Sequence, residues 1–96
     1  MPSFRIEMSI GVLRPGIRPD SVLPAAAAAA AELTTVEASD LAVVAGSAWA
    51  TVRFSADDPA DALRIGRAVL EATQAVAEPL SWRVTERVKS RWLPVR

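Results

Sequence analysis

The chain contains no cysteine, no histidine and no tyrosine. Without cysteine there is no disulfide, no thiol nucleophile and no thiolate metal site. Without histidine, a Ser-His-Asp triad, a Cys-His pair and histidine-rich zinc sites are excluded within one chain. Glycine is scarce and scattered: Gly11, Gly16, Gly46 and Gly66 form neither a Walker motif nor G-x-G-x-x-G. No apolar run approaches the roughly 18 residues of a membrane span. Ala25 to Ala31 is too short for one, and Met1-Pro2-Ser3-Phe4-Arg5 has no signal-peptide apolar region. No charge of one sign dominates, because eleven Lys+Arg balance eleven Asp+Glu. Any basic footprint is therefore local. What is present is 96 residues, 51% hydrophobic and 23% charged, the size and composition of one globular domain spanning 1–96. The expectation is a cytoplasmic protein with no membrane contact.

Residues 4–13 alternate, with Phe4, Ile6, Met8, Ile10 and Val12 on one side and Arg5, Glu7, Ser9 and Gly11 on the other. Period two predicts a strand with one buried face. Arg14-Pro15-Gly16-Ile17-Arg18-Pro19 breaks it with turn chemistry. Asp20 or Ser21 suits an N-cap, and the alanine run after Pro24 predicts a helix to about residue 37. Leu41 to Ala45, a turn at Gly46-Ser47 and an alternating run from Ala48 to Ser55 predict a hairpin. Asp57-Asp58-Pro59 opens a second helix, with Asp61 favoured by the dipole in its first turn. Ala62, Leu63, Gly66, Val69, Leu70, Thr73 and Ala77 share one helical face, and Pro79 marks the expected end. A last strand covers 80–88. Residues 88–96 are either a strand extension or a C-terminal tail.

The order is β-α-β-β-α-β. Right-handed crossovers then favour a four-stranded antiparallel sheet with both helices on one face. This pattern resembles the ferredoxin-like plait, an α+β two-layer sandwich with strand order 4-1-3-2. The resemblance is to a fold that hosts many unrelated functions. The expected core is Phe4, Ile6, Met8, Ile10, Leu33, Leu41, Val43, Val52, Phe54, Leu63, Val69, Leu70, Trp82 and Val84.

No catalytic residue, metal ligand or cofactor site is assigned. Asp57, Asp58 and Asp61 could in principle hold a hard cation, but they sit where capping wants negative charge. Glu7 and Glu86 carry no weight as a carboxylate pair, since the alternation leaves their faces open. The informative surface is the sheet face away from the helices. Alternation places Arg5, Glu7, Trp49, Thr51, Arg53, Arg83, Thr85 and Arg87 there, four arginines and one glutamate around one indole.

Several functions compete for that surface. The leading one is a non-catalytic assembly module, a homodimer anchored by Trp49 with arginines at the rim. A second is single-stranded nucleic-acid binding. Ser47-Ala48-Trp49-Ala50-Thr51-Val52-Arg53-Phe54 partly resembles the longer sheet motif of RNA-recognition domains, with Trp49, Ala50, Val52 and Phe54 at its aromatic, small, aliphatic and aromatic positions. Ser47-Ala48 replaces the basic-Gly pair, Thr51 replaces a stacking aromatic, and the first strand has no aromatic at Ile6, Glu7 or Met8, so nucleic acid is disfavoured. A third is a small anionic ligand, in the manner of regulatory plaits resembling ACT domains, held by Arg14, Gly16 and Arg18 before the first helix. A fourth is an enzyme with a composite site at a dimer interface. The tail residues Trp92, Leu93 and Val95 fold back on the domain or dock on a neighbouring subunit, with docking slightly favoured.

Overall fold

The computed structural model describes Met1–Arg96 as a mixed α+β unit. Strand β1 (Ser3–Leu13) leads through a single 3-10 turn (Pro19–Ser21) to helix α1 (Val22–Ala31). Strands β2 (Val36–Val44) and β3 (Ser47–Ser55) form a hairpin, followed by helix α2 (Pro59–Gln74). Strand β4 (Ala77–Val88) and a short β5 (Arg91–Pro94) close the chain. The sheet is antiparallel at every pairing, in the order β2-β3-β1-β4-β5. It has five strands, not the expected four: the segment after Val88 turns at Lys89-Ser90 and pairs back on β4, Arg87 opposite Trp92 and Thr85 opposite Pro94.

Several element boundaries also depart from expectation. Helix α1 ends at Ala31 rather than near residue 37, and β2 begins at Val36 rather than Leu41. The β-branched Thr34-Thr35-Val36 run favours extended backbone over helix. Thr34 Oγ1 and Ser55 N–H tie this exit to the end of β3, bonding to Ser55 O and Thr35 O respectively. The hairpin turn is Ala45-Gly46, with φ of 51° and 80°, instead of Gly46-Ser47. Two positive φ values match the twist of the flanking strands. Pro79 lies within β4, opposite Ile10 at a register shift, where a missing N–H is tolerated. The start of α2 follows the sequence signal: Asp58 caps it by accepting from Asp61 N–H at 2.8 Å, with Pro59 in the first turn.

One face of the sheet carries the core. Phe4, Ile6, Met8, Ala50, Val52, Phe54 and Val84 meet Ala26 and Ala30 of α1 and Ala62, Ile65 and Val69 of α2. Phe4 and Phe54 are direct cross-strand partners with stacked rings 6.3 Å apart. Ile65, absent from the expected set, is fully buried. Ile10, Leu63 and Leu70 pack at the core margin. Four expected core residues are exposed. Leu41 and Val43, at 46% and 75% exposure, lie on the edge strand β2, which has a neighbour on one side only, with Leu41 lining a depression beside Pro19 and Val22. Leu33 follows the shortened helix. Trp82, at 38%, sits on the part of β4 that β5 does not reach. No helix is long and apolar enough to cross a membrane.

Candidate functional site: the helix-free sheet face

Both helices cover the same side of the sheet, so the alternate residues of the central strands form an uncovered face. The register sets its rows. Arg53, Arg5 and Thr85 stand side by side on β3, β1 and β4, and Thr51, Glu7 and Arg83 form the next row. Trp49 and Ser9 form the third, with Ala42 beside Trp49 on β2. The expected residues Arg5, Glu7, Thr51, Arg53, Arg83 and Thr85 are thus immediate neighbours. Trp49 lies in the row beyond Thr51 and Glu7, two rows from Arg5 and Arg53, toward the β2–β3 turn. Arg87 is at the opposite margin, where its Nε donates to the Lys89 carbonyl at 3.1 Å.

Charge on this face is balanced more evenly than alternation alone indicates. Between Val36 and Ala38 the β2 register slips, making Glu37 the additional residue of a bulge. Glu37 thereby reaches the helix-free face, where Oε1 accepts from Arg53 Nε at 2.8 Å and from the Ser3 hydroxyl at 2.8 Å. Asp40 joins the row of Thr51. Glu7, with a side chain 15% exposed, accepts from Arg83 Nε at 2.6 Å and lies 3.7 Å from Arg5 Nε. Arg5, Arg53 and Arg83 are therefore matched by Glu7, Glu37 and Asp40. Neither bulge register nor a neighbouring strand's parity is visible in a one-strand pattern, which is why Glu37 and Asp40 escape the sequence reading.

The C-terminal strand adds a second indole. The Trp92 ring sits over the Arg5 guanidinium, 4.2 Å from its carbon to the ring centroid, and 5.3 Å from that of Arg53. Both distances lie within cation–π range. Beside it, Thr85 is 3% exposed, and its hydroxyl has no protein partner. A cleft of about 290 Å³ opens between Trp92 and β2, lined also by Arg5, Arg53, Thr51, Ser39 and Asp40. A second depression of about 360 Å³ lies at the Trp49 end, bounded by Trp49, Val44, Ala42, Glu7 and Arg83. Of the other tail residues, Val95 N–H donates to the Val84 carbonyl at 2.9 Å and its side chain packs on the core, while Leu93 pairs opposite Glu86.

In the loop considered for anions, both arginines have partners within the chain. Arg14 Nε donates to the Gln74 carbonyl and Arg14 N–H to that of Val76, both at 2.9 Å, which satisfies the C-terminal end of α2. Arg18 pairs with Asp20 at 3.4 Å on an exposed turn, and Gly16 supplies a φ of 80°. The aspartates before α2 are likewise engaged. Asp58 caps, and Asp61 accepts from Arg64 and from Asp57 N–H. Hydrogen bonding by Arg64, then by the Asp57 amide, holds the Asp61 carboxyl below its ordinary value of 3.8. Glu86, opposite Phe4, is on the helix side of the sheet, away from Glu7.

The chain matches no family model, no curated protein and no solved structure. Function is read from the geometry.

Proposed function

We propose that this chain is a small non-catalytic interaction module that self-associates, two copies meeting through the helix-free sheet face. The observation that carries this reading is the composition of that face. It is uncovered, it presents Trp49 with Val44 and Ala42 at one end, and its arginines are matched by carboxylates. Self-complementary charge suits a two-fold interface, in which each surface meets a copy of itself. A nucleic-acid surface needs a local excess of positive charge, which Glu7, Glu37 and Asp40 cut here to a single charge against Arg5, Arg53, Arg83 and Arg87. Size is adequate. The molecule extends 39 × 29 × 21 Å, and the two long dimensions fit the strand length and sheet width. Such a face can supply the roughly 800 Å² per partner of a standard interface.

We read the architecture as a ferredoxin-like plait extended by one strand. Setting β5 aside leaves β2-β3-β1-β4, the 4-1-3-2 order with both crossovers over one face. The C-terminal strand then extends the face, with Trp92 capping the chain's own Arg5.

Sedimentation equilibrium on the wild type and on Trp49→Ala tests the reading. A dimer at about 10 μM is expected. A buried Trp anchor is worth 2 kcal/mol or more, so Trp49→Ala weakens association by roughly 30-fold. A monomeric wild type at that concentration, or an unchanged dimer in the variant, contradicts it.

A further inference from the structure

The cleft under Trp92 holds an arrangement that the chain's own contacts leave incomplete. Arg5 and Arg53 are direct cross-strand partners, and like charges so placed repel. Each guanidinium faces a carboxylate through its Nε side only. Arg53 Nε donates to Glu37, whereas Arg5 Nε, 3.7 Å from Glu7 Oε1, is buried with no hydrogen-bond partner. No protein acceptor engages the Nη atoms of either residue. One indole spans both groups, restricting their motion and bringing two positive charges to a single wall of the cleft. The opposite wall carries Asp40, with the Thr51 hydroxyl beside it.

Two guanidiniums that share an aromatic cap and present unpaired Nη groups form a receptor for an oxyanion. The planar fork of arginine matches carboxylate and phosphate oxygens. The cleft volume, at the low end of ligand sites, limits the occupant to a small metabolite. Asp40 adds polarity across the cleft by favouring a donor at the ligand's far end. We propose that this cleft binds a small oxyanion, a carboxylate or phosphate held by the Nη groups of Arg5 and Arg53 beneath Trp92, with an ammonium or hydroxyl donor directed at Asp40. Trp92 is thus a binding residue, and Glu37 positions Arg53. The site lies at the Trp92 end of the same face, two rows from Trp49, and requires that the paired face leave this end open.

Nitrogen-15 NMR titration of the full chain tests this, following the Trp92 indole N–H (identified with Trp92→Phe) and the Arg5 and Arg53 Nε–H signals. The titrants are inorganic phosphate, β-alanine and propionate, with sodium chloride at matched ionic strength as control. Saturable shifts at these three groups are expected for phosphate or β-alanine below about 10 mM, a range suited to a weak metabolite site. Phosphate alone, or β-alanine alone, identifies which oxyanion the site takes. β-Alanine binding more tightly than propionate, a difference abolished in Asp40→Asn, supports the donor contact. Arg53→Gln and Arg5→Gln should each weaken binding at least tenfold. Arg5→Lys, which keeps the charge but loses the planar fork, does the same if Arg5→Gln does not fold. No saturable shift with either oxyanion, an equal shift with chloride, or unchanged binding in the arginine variants overturns the proposal.

Discussion

Replacing Gly66 with alanine sets two opposing effects against each other, and the structure decides between them. Gly66 lies in the middle of α2, where alanine is favoured by about 1 kcal/mol from helix propensity. A Cβ there would lie 2.8 Å from Val84 Cγ2 and 3.6 Å from Ile6 Cδ1. Val84 is buried and β-branched, so its methyl has little rotational escape. Ordinary contact begins near 3.4 Å, so helix and sheet must separate by several tenths of an ångström along a packed layer. Overpacking of this kind costs about 1–3 kcal/mol, which outweighs the propensity gain and leaves a net loss of roughly 1 kcal/mol. With a urea slope of about 1–2 kcal/mol/M, the midpoint falls by roughly 0.5–1 M. A double-mutant cycle isolates the cause. In a Val84→Ala background the obstructing methyl is gone, so Gly66→Ala becomes neutral or stabilising by up to about 1 kcal/mol. A higher midpoint in the single variant, or the same loss in both backgrounds, refutes the close-approach explanation.

Three further outcomes are expected. Ala45→Gly should stabilise the β2–β3 turn by up to about 1 kcal/mol in urea unfolding, because it relieves a left-handed alanine at a small cost in unfolded-state entropy. Asp58→Ala should cost about 1 kcal/mol through loss of the α2 cap, a fall in Tm of roughly 4–8 °C by calorimetry. Asp61 has a folded-state pKa below its ordinary 3.8, so its contribution is complete above 3.8 and is lost as pH falls through the lower folded value. The acid titration of Tm should therefore be shallower in Asp61→Asn than in the wild type as pH falls from 3.8 through that lower value.

The parts of this molecule that were legible in the sequence are those governed by local period. Alternation in β1 and β3 separates Phe4, Ile6, Val52 and Phe54 from Arg5, Glu7, Thr51 and Arg53, and the structure keeps that division. The Asp58-Pro59 start of α2 is equally local. What was hidden depends on neighbours. Helix propensity in an alanine run does not reveal that Thr34-Thr35 leaves the helix to bond with the end of β3. Leu41 and Val43 look like core because they are apolar, but β2 is the sheet edge, and a one-strand pattern does not reveal where the covering layer stops. Glu37 reaches Arg53 only through a bulge, a matter of pairing between strands. Trp92 belongs to a four-residue strand at the sheet edge, too short for its alternation to declare which face it joins.

The central claim is that the helix-free face is a contact surface between two copies, with Trp49 as its anchor. Sedimentation equilibrium across the micromolar range, on the wild type and on Trp49→Ala, tests it most directly. The expected result is a dimer that loses about 30-fold in affinity when Trp49 is truncated, while the far-ultraviolet spectrum and urea midpoint of the monomer are preserved. A wild-type chain that sediments as a monomer throughout, or a dimer indifferent to Trp49, contradicts the account.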